Sequence, residues 1–224
     1  MLPIGDTKLE GARTPYFNWI FILINVAVFF YQLSLPSGEL ETFIHENGVT
    51  PRDVLRGENL HSLITAIFIH GGWMHLIGNM LFLWVFGDNI EAVLGHFWYV
   101  VFYLAGGIAA SAGHIGFNPA SDIPSVGASG AVAAMLGAYL VWFPTSKVKM
   151  LVILIIFFRV VRVHAWLFLF VWIGLQLFSG LAAIGESAQT TGVAWWAHLG
   201  GVFFGLLIGS LIRSVNPGPV KALR

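Results

Sequence analysis

The sequence predicts an all-α polytopic membrane protein, a six-transmembrane-helix bundle with both termini in the cytoplasm. Three observations carry that expectation. Only 10% of the 224 residues are charged, and 57% are hydrophobic, whereas a soluble domain carries about 25% charged residues. A soluble chain so poor in charge would expose aggregating apolar patches, and disorder requires the opposite composition. Second, the charges are bunched: residues 14–38, 59–87, 92–121, 123–146, 163–185 and 187–212 contain no Asp, Glu, Lys or Arg. Each window exceeds the ~20 residues that a helix needs to cross a hydrocarbon core of ~30 Å, and the absence of a period-two pattern disfavours a barrel. Third, the basic residues are split unevenly across the loops that these windows define. Lys8, Arg13, Lys147, Lys149, Arg159, Arg162, Arg213, Lys221 and Arg224 fall on one side, and Arg52 and Arg56 on the other. Nine against two places the first side in the cytoplasm.

Taken in order, the elements begin with a short cytoplasmic segment, residues 1–16, too short to fold alone. The membrane domain then runs over 17–212, with helices near 17–35, 73–91, 97–116, 128–143, 164–182 and 195–212. The first is a retained span rather than a leader, because no small-x-small cleavage site follows its long apolar part. Between the first and second helices, residues 36–60 form the longest connection, with Glu39, Glu41, Glu46, Asp53 and Glu58 among apolar residues, and are expected at the interface. The run from Met150 to Phe158 is too short to span and is expected to be interfacial or re-entrant. Residues 213–224 form a cytoplasmic tail. With this topology the second, fourth and sixth helices all start at the outer face and run inward.

The same composition excludes several chemistries. A net charge of zero gives nucleic acid no electrostatic purchase. The lack of cysteine removes disulfides, thiolate metal sites, iron–sulfur clusters and a cysteine nucleophile. No cofactor and no metal are expected. The zinc-protease pattern His-Glu-x-x-His is absent, and none of Asp6, Asp53, Asp88 and Asp122 lies in a predicted span, which disfavours an aspartyl protease. A transporter would be expected to show an internal repeat and midplane polar groups.

Ionisable groups inside membrane windows are functional candidates by default. His75 and Asn79 are four apart and share one face of the second helix. Gly127-Ala128-Ser129-Gly130 opens the fourth helix, and Ala197-His198-Leu199-Gly200-Gly201 the sixth. Each lies one to two turns from an outer helix end, a depth of roughly 3–9 Å. Ser129, Ala133 and Gly137 form one small-residue stripe, and His198, Gly201, Gly205 and Gly209 another. Such stripes are packing devices in their own right, and two of them let helices approach closely. Here close approach would bring a hydroxyl to an imidazole, a weak nucleophile to a base that titrates in the right range. His75, Asn79 and the Ser129 backbone N–H are candidate oxyanion donors. His70 and His114 are expected to be structural, and Asp88 and Glu91 to anchor or cap the inner end of the second helix.

His70-Gly-Gly-Trp-Met-His75-Leu-Ile-Gly-Asn79, continuing to Glu91, resembles a signature of the rhomboid intramembrane serine proteases. Gly127-Ala-Ser129-Gly130 through Tyr139, and Ala197-His198-Leu-Gly-Gly201 with Gly205, complete the set in the family's order. The similarity runs from the first helix to Gly209. It implies a six-helix rhomboid-like bundle of the bacterial type, with a dyad of Ser129 as nucleophile and His198 as general base. His75 and Asn79 match residues that help bind the oxyanion, and no acidic third member is expected. It implies substrates that are transmembrane segments of other membrane proteins; the short soluble ends suggest a prokaryotic plasma (inner) membrane. Family members often carry Trp-Arg in the first outer loop, where this chain has Leu60-His61. The nearest alternative is a catalytically inactive relative that binds membrane clients. Oligomeric state is not encoded in these motifs.

Overall fold

The structure is a computed structural model, and it describes residues 2–7, 9, 11–154, 157–182 and 194–215, with side chains at 153, 154 and 157 left aside. Lys8, Lys221 and Arg224, counted above for orientation, and tail residues 216–224 lie outside them.

The first predicted span is α1, Tyr16–Ser34. Its exposed first-turn N–H groups attract negative charge, and Glu91 provides it. Phe17 N–H donates to Oε1 (3.1 Å) and Asn18 N–H to Oε2 (2.8 Å) of that carboxylate, so Glu91 is the anchoring group expected. The connection between the first and second spans folds into α2, Ser37–Asn47, α3, Pro51–Leu55, and α4, Ser62–Thr65. Arg52 pins it to the loop of residues 118–128 through an ion pair with Asp122 (2.6 Å) and a hydrogen bond to the Ala120 carbonyl (2.9 Å).

The second span is α5, Trp73–Phe82, a π-helical turn at Leu83–Gly87, and α6, Asp88–Leu94. A π turn disturbs the regular carbonyl ladder, and Asn18 Nδ2 donates to the Leu83 carbonyl at 3.0 Å. A side chain at Gly87 would collide with the same Asn18 amide, so this glycine lets α1 come close. Helix α6 ends at Gly95, whose φ of +74° suits glycine. The third span, α7, is His96–Phe117.

The fourth predicted helix is α8, Ser129–Trp142. Its 14 residues are about 21 Å long at 1.5 Å per residue, short of a full crossing. Among the described residues five helices are long and apolar enough to cross a membrane, and α8, close to its predicted limits of 128–143, is shorter. The reason lies in its surroundings. Residues Gly130 to Tyr139 are all buried, so α8 is a central rod shielded by its neighbours. Met135, Leu136 and Tyr139 sit with Phe86, Tyr99 and Tyr103 among the most buried side chains. The last two spans are α9, Ala165–Ala182, and α10, Trp195–Val215, which runs past the predicted limit of 212.

A sheet interrupts the all-α expectation. Strands β1, Leu2–Gly5, β2, Lys147–Leu154, and β3, Phe157–His164, form an antiparallel sheet in the order β1-β2-β3. The run expected to be interfacial or re-entrant is therefore folded back on itself, Lys147 opposite His164 and Leu154 opposite Phe157. Alternation explains it: Lys147 and Lys149 are exposed while Val148 and Met150 join the bundle core, as period-two geometry requires. The N-terminal segment does not fold alone; it pairs with β2, Leu2 opposite Leu151. Asp6 ties it to the bundle, accepting from Asn89 Nδ2 and Tyr139 OH, each at 2.6 Å.

Candidate active site

The site is built where α8 and α10 meet. The two predicted small-residue stripes do face each other. A Cβ at Gly201 would meet the Gly130 carbonyl, one at Gly205 the Ala134 carbonyl, and one at Gly209 the Ala138 Cα at 3.1 Å. Backbone thus rests on backbone, and only glycine permits that approach. Trp142 Nε1 donates to the Gly209 carbonyl (3.0 Å) at the far end of the seam.

At the near end of the seam, His198 Nε2 lies 2.8 Å from Ser129 Oγ, although 69 residues separate them. Ser129 is the first residue of α8, so its backbone N–H has no partner within the helix and sits at the positive end of the helix dipole. His198 is 9% exposed and Ser129 is partly exposed. The imidazole is flanked by two indoles, Trp172 from α9 (centroids 5.8 Å apart) and Trp195 from α10 (6.2 Å).

The remaining predicted residues converge on the same place. His75, on the first turn of α5, lies against Gly127, where an added Cβ would come within 2.5 Å of Nε2. Gly127 has φ +125°, in the region open to glycine, so backbone geometry and the His75 ring both require a residue without a side chain. Gly71 N–H points at His75 Nδ1 at 3.4 Å. With Nδ1 as acceptor, a neutral imidazole carries its proton on Nε2, the nitrogen beside Gly127. Asn79, one turn further along α5, is 6% exposed, and its Nδ2 has no hydrogen-bond partner among the described residues. Buried donors without acceptors are rare in folded proteins.

His70 is not part of this contact set but braces it. Its backbone N–H donates to Gln32 Oε1 and its carbonyl accepts from Gln32 Nε2, both at 3.0 Å. The ring is 1% exposed and its centroid is 5.1 Å from that of His75. Burial, with the nearby His75 second, pushes the His70 pKa down to about 4. His114 sits beside Asn118 at the end of α7. Among the described residues, no group of three or more His, Asp or Glu side chains is placed to hold a metal ion.

One residue escaped the sequence reading. Gln176 on α9 is 6% exposed, and its Oε1 lies 2.7 Å from His198 Nδ1. The signal was present as a lone amide within Ala165-Trp-Leu-Phe-Leu-Phe-Val-Trp-Ile-Gly-Leu-Gln176.

Comparison with known proteins gives the lineage. The family model for the rhomboid domain matches residues 57–215. Rhomboid protease GluP of Bacillus subtilis is 35% identical over 127 residues, 56% of this chain and 24% of that protein. The mitochondrial Rhomboid protein 1 of Saccharomyces cerevisiae is 29% identical over 204 residues, 86% of this chain and 52% of that protein. Rhomboid-related protein 2 of mouse is 33% identical over 144 residues, 61% of this chain and 47% of that protein. The chain thus spans between a quarter and about half of the length of these relatives. A family match across most of the chain joins the five long apolar helices: this multi-pass integral membrane protein belongs to the rhomboid family.

Proposed function

We propose that the protein is an intramembrane serine endopeptidase that cleaves transmembrane segments of other membrane proteins through an acyl-enzyme. The observation that carries this reading is the 2.8 Å contact between Ser129 Oγ and His198 Nε2. His198 takes the hydroxyl proton as Ser129 attacks the scissile carbonyl, then gives it to the leaving amine. The acyl-enzyme is hydrolysed by water that His198 activates in the same way.

The tetrahedral intermediate places negative charge on the former carbonyl oxygen. Three donors suit it: the Ser129 backbone N–H, Asn79 Nδ2 and His75 Nε2–H. The unpartnered Asn79 amide supports this assignment, since an oxyanion would give the buried donor its acceptor. Such preorganised donors act on charge that develops only in the transition state. Helical substrate carbonyls are held in hydrogen bonds, so the substrate segment unwinds locally before attack. We place the site toward the outer face of a prokaryotic plasma membrane with both termini in the cytoplasm. The membrane domain then covers 17–212, flanked by the 1–16 segment and the 213–224 tail.

The second reading, a client-binding relative without activity, predicts a chain in which the serine–imidazole pair is broken; here the pair is intact. The deciding experiment reconstitutes the purified chain with a model transmembrane substrate and a fluorophosphonate probe. Wild type is expected to cleave and to label at Ser129, and Ser129→Ala and His198→Ala to do neither. Cleavage by Ser129→Ala at the wild-type rate overturns the protease reading.

A further inference from the structure

We propose that Gln176 is a positioning residue of the dyad, its side-chain carbonyl holding the His198 imidazole in the tautomer and orientation that receive the Ser129 proton. The inference rests on the dyad reading above and adds a member that the family resemblance did not imply.

The argument starts from the two ring nitrogens. Nε2 lies 2.8 Å from Ser129 Oγ and Nδ1 lies 2.7 Å from Gln176 Oε1. An amide oxygen only accepts hydrogen bonds, so the short contact requires a proton on Nδ1. A neutral imidazole with its proton there has its lone pair on Nε2, facing the serine. The opposite tautomer would point an N–H at the hydroxyl and leave two acceptors, Oε1 and Nδ1, facing each other. When the ring gains its second proton, the same Oε1 dipole accepts from a charged N–H, and hydrogen bonds to charged groups are the stronger ones.

Placement supports the assignment. Gln176 is 6% exposed on a helix that is otherwise almost wholly apolar, and a buried amide is costly without a partner. Trp172 lies one turn earlier on the same face of α9 and also touches His198. This face of α9 therefore supplies one side of the imidazole's surroundings, while α8 supplies the nucleophile. A neutral amide does the orienting without the expense of a second buried charge, which a carboxylate would carry.

The test uses the full chain reconstituted in lipid, with Gln176→Leu, which keeps the bulk but loses the acceptor, and Gln176→Glu, which keeps an acceptor oxygen. Three quantities are read: the rate of Ser129 labelling by the fluorophosphonate, kcat and KM for a transmembrane substrate, and the thermal unfolding temperature. Gln176→Leu is expected to lower the labelling rate and kcat together by about tenfold to a hundredfold with KM little changed. Gln176→Glu is expected to recover most of that loss. Labelling of Gln176→Leu at the wild-type rate overturns the inference. So does an equal loss in both variants that follows their unfolding temperatures, because Gln176 would then serve the fold alone. If wild type itself fails to label at Ser129, the dyad reading has failed and this inference falls with it.

Discussion

Asn79 is a residue at which burial and chemistry are at odds beside the dyad. Among the described residues its Nδ2 is buried without an acceptor, which leaves that donor free for a ligand oxygen. If the acceptor is the oxyanion, Asn79→Ala should lower kcat by about a hundredfold and leave KM near wild type. A rise in KM with kcat unchanged would instead make it a ground-state contact. His70 allows a prediction with a sign. Its folded pKa of about 4 lies below the ordinary 6.5, so the unfolded chain binds the proton first as pH falls. The contribution of neutral His70 is complete above about pH 6.5, is lost between there and about pH 4, and then levels off. Unfolding temperatures of wild type and His70→Phe at pH 7 and pH 5 should show a fall on acidification that is smaller in the variant. His75 and Asn79 could be found from a four-residue spacing on one helix. Gln176 was visible only as a lone amide in an apolar helix, and no periodicity links it to its partner His198 on another helix.

Among the elements, the α8–α10 seam is the one whose tolerance is sharpest. A methyl at Gly205 would run into the Ala134 carbonyl, and one at Gly137 into the carbonyl of Val202, backbone atoms that cannot swing aside. Gly205→Ala should cost on the order of 1–3 kcal/mol as an overpacked contact. It should also separate Ser129 from His198, so cleavage falls further than stability. Gly174 on α9 is the control: nothing lies within 4 Å of its absent Cβ, and Gly174→Ala should leave both the unfolding temperature and cleavage near wild type. The helices were legible in the sequence because lipid leaves the backbone no alternative, and the stripes because small residues at helical spacing are visible as such. The sheet was not. The apolar run from Met150 to Phe158 obscures the alternation in Lys147-Val148-Lys149-Met150. Its third strand comes from Leu2–Gly5, over 140 residues away, and such pairing leaves no local trace. The short length of α8 was legible in the predicted limits 128–143, although the charge-free window 123–146 alone cannot tell a span from a rod enclosed by other helices.

For the molecule as a whole, the topology decides where the chemistry happens. The strand Leu2–Gly5 pairs with β2, which lies between α8 and α9, so the N-terminal segment and the connection carrying Lys147, Lys149, Arg159 and Arg162 share one end of the bundle. Ser129 and His198 lie at the starts of α8 and α10, the opposite end of α8 from that connection. In the proposed orientation, which rests on the bias of basic residues, the sheet faces the cytoplasm and the dyad the outer side. Because the chain has no cysteine, a single introduced thiol reports its own side without background. Glu41, exposed on α2, and Arg159, exposed on β3, stand on the two opposing faces. In intact cells a membrane-impermeant maleimide should label Glu41→Cys at once, and Arg159→Cys only after the membrane is permeabilised. The reverse pattern would turn Ser129 toward the cytoplasm and move its substrates' cut sites to the other surface. Equal labelling of both before permeabilisation would mean that the charge bias does not fix one orientation in this chain.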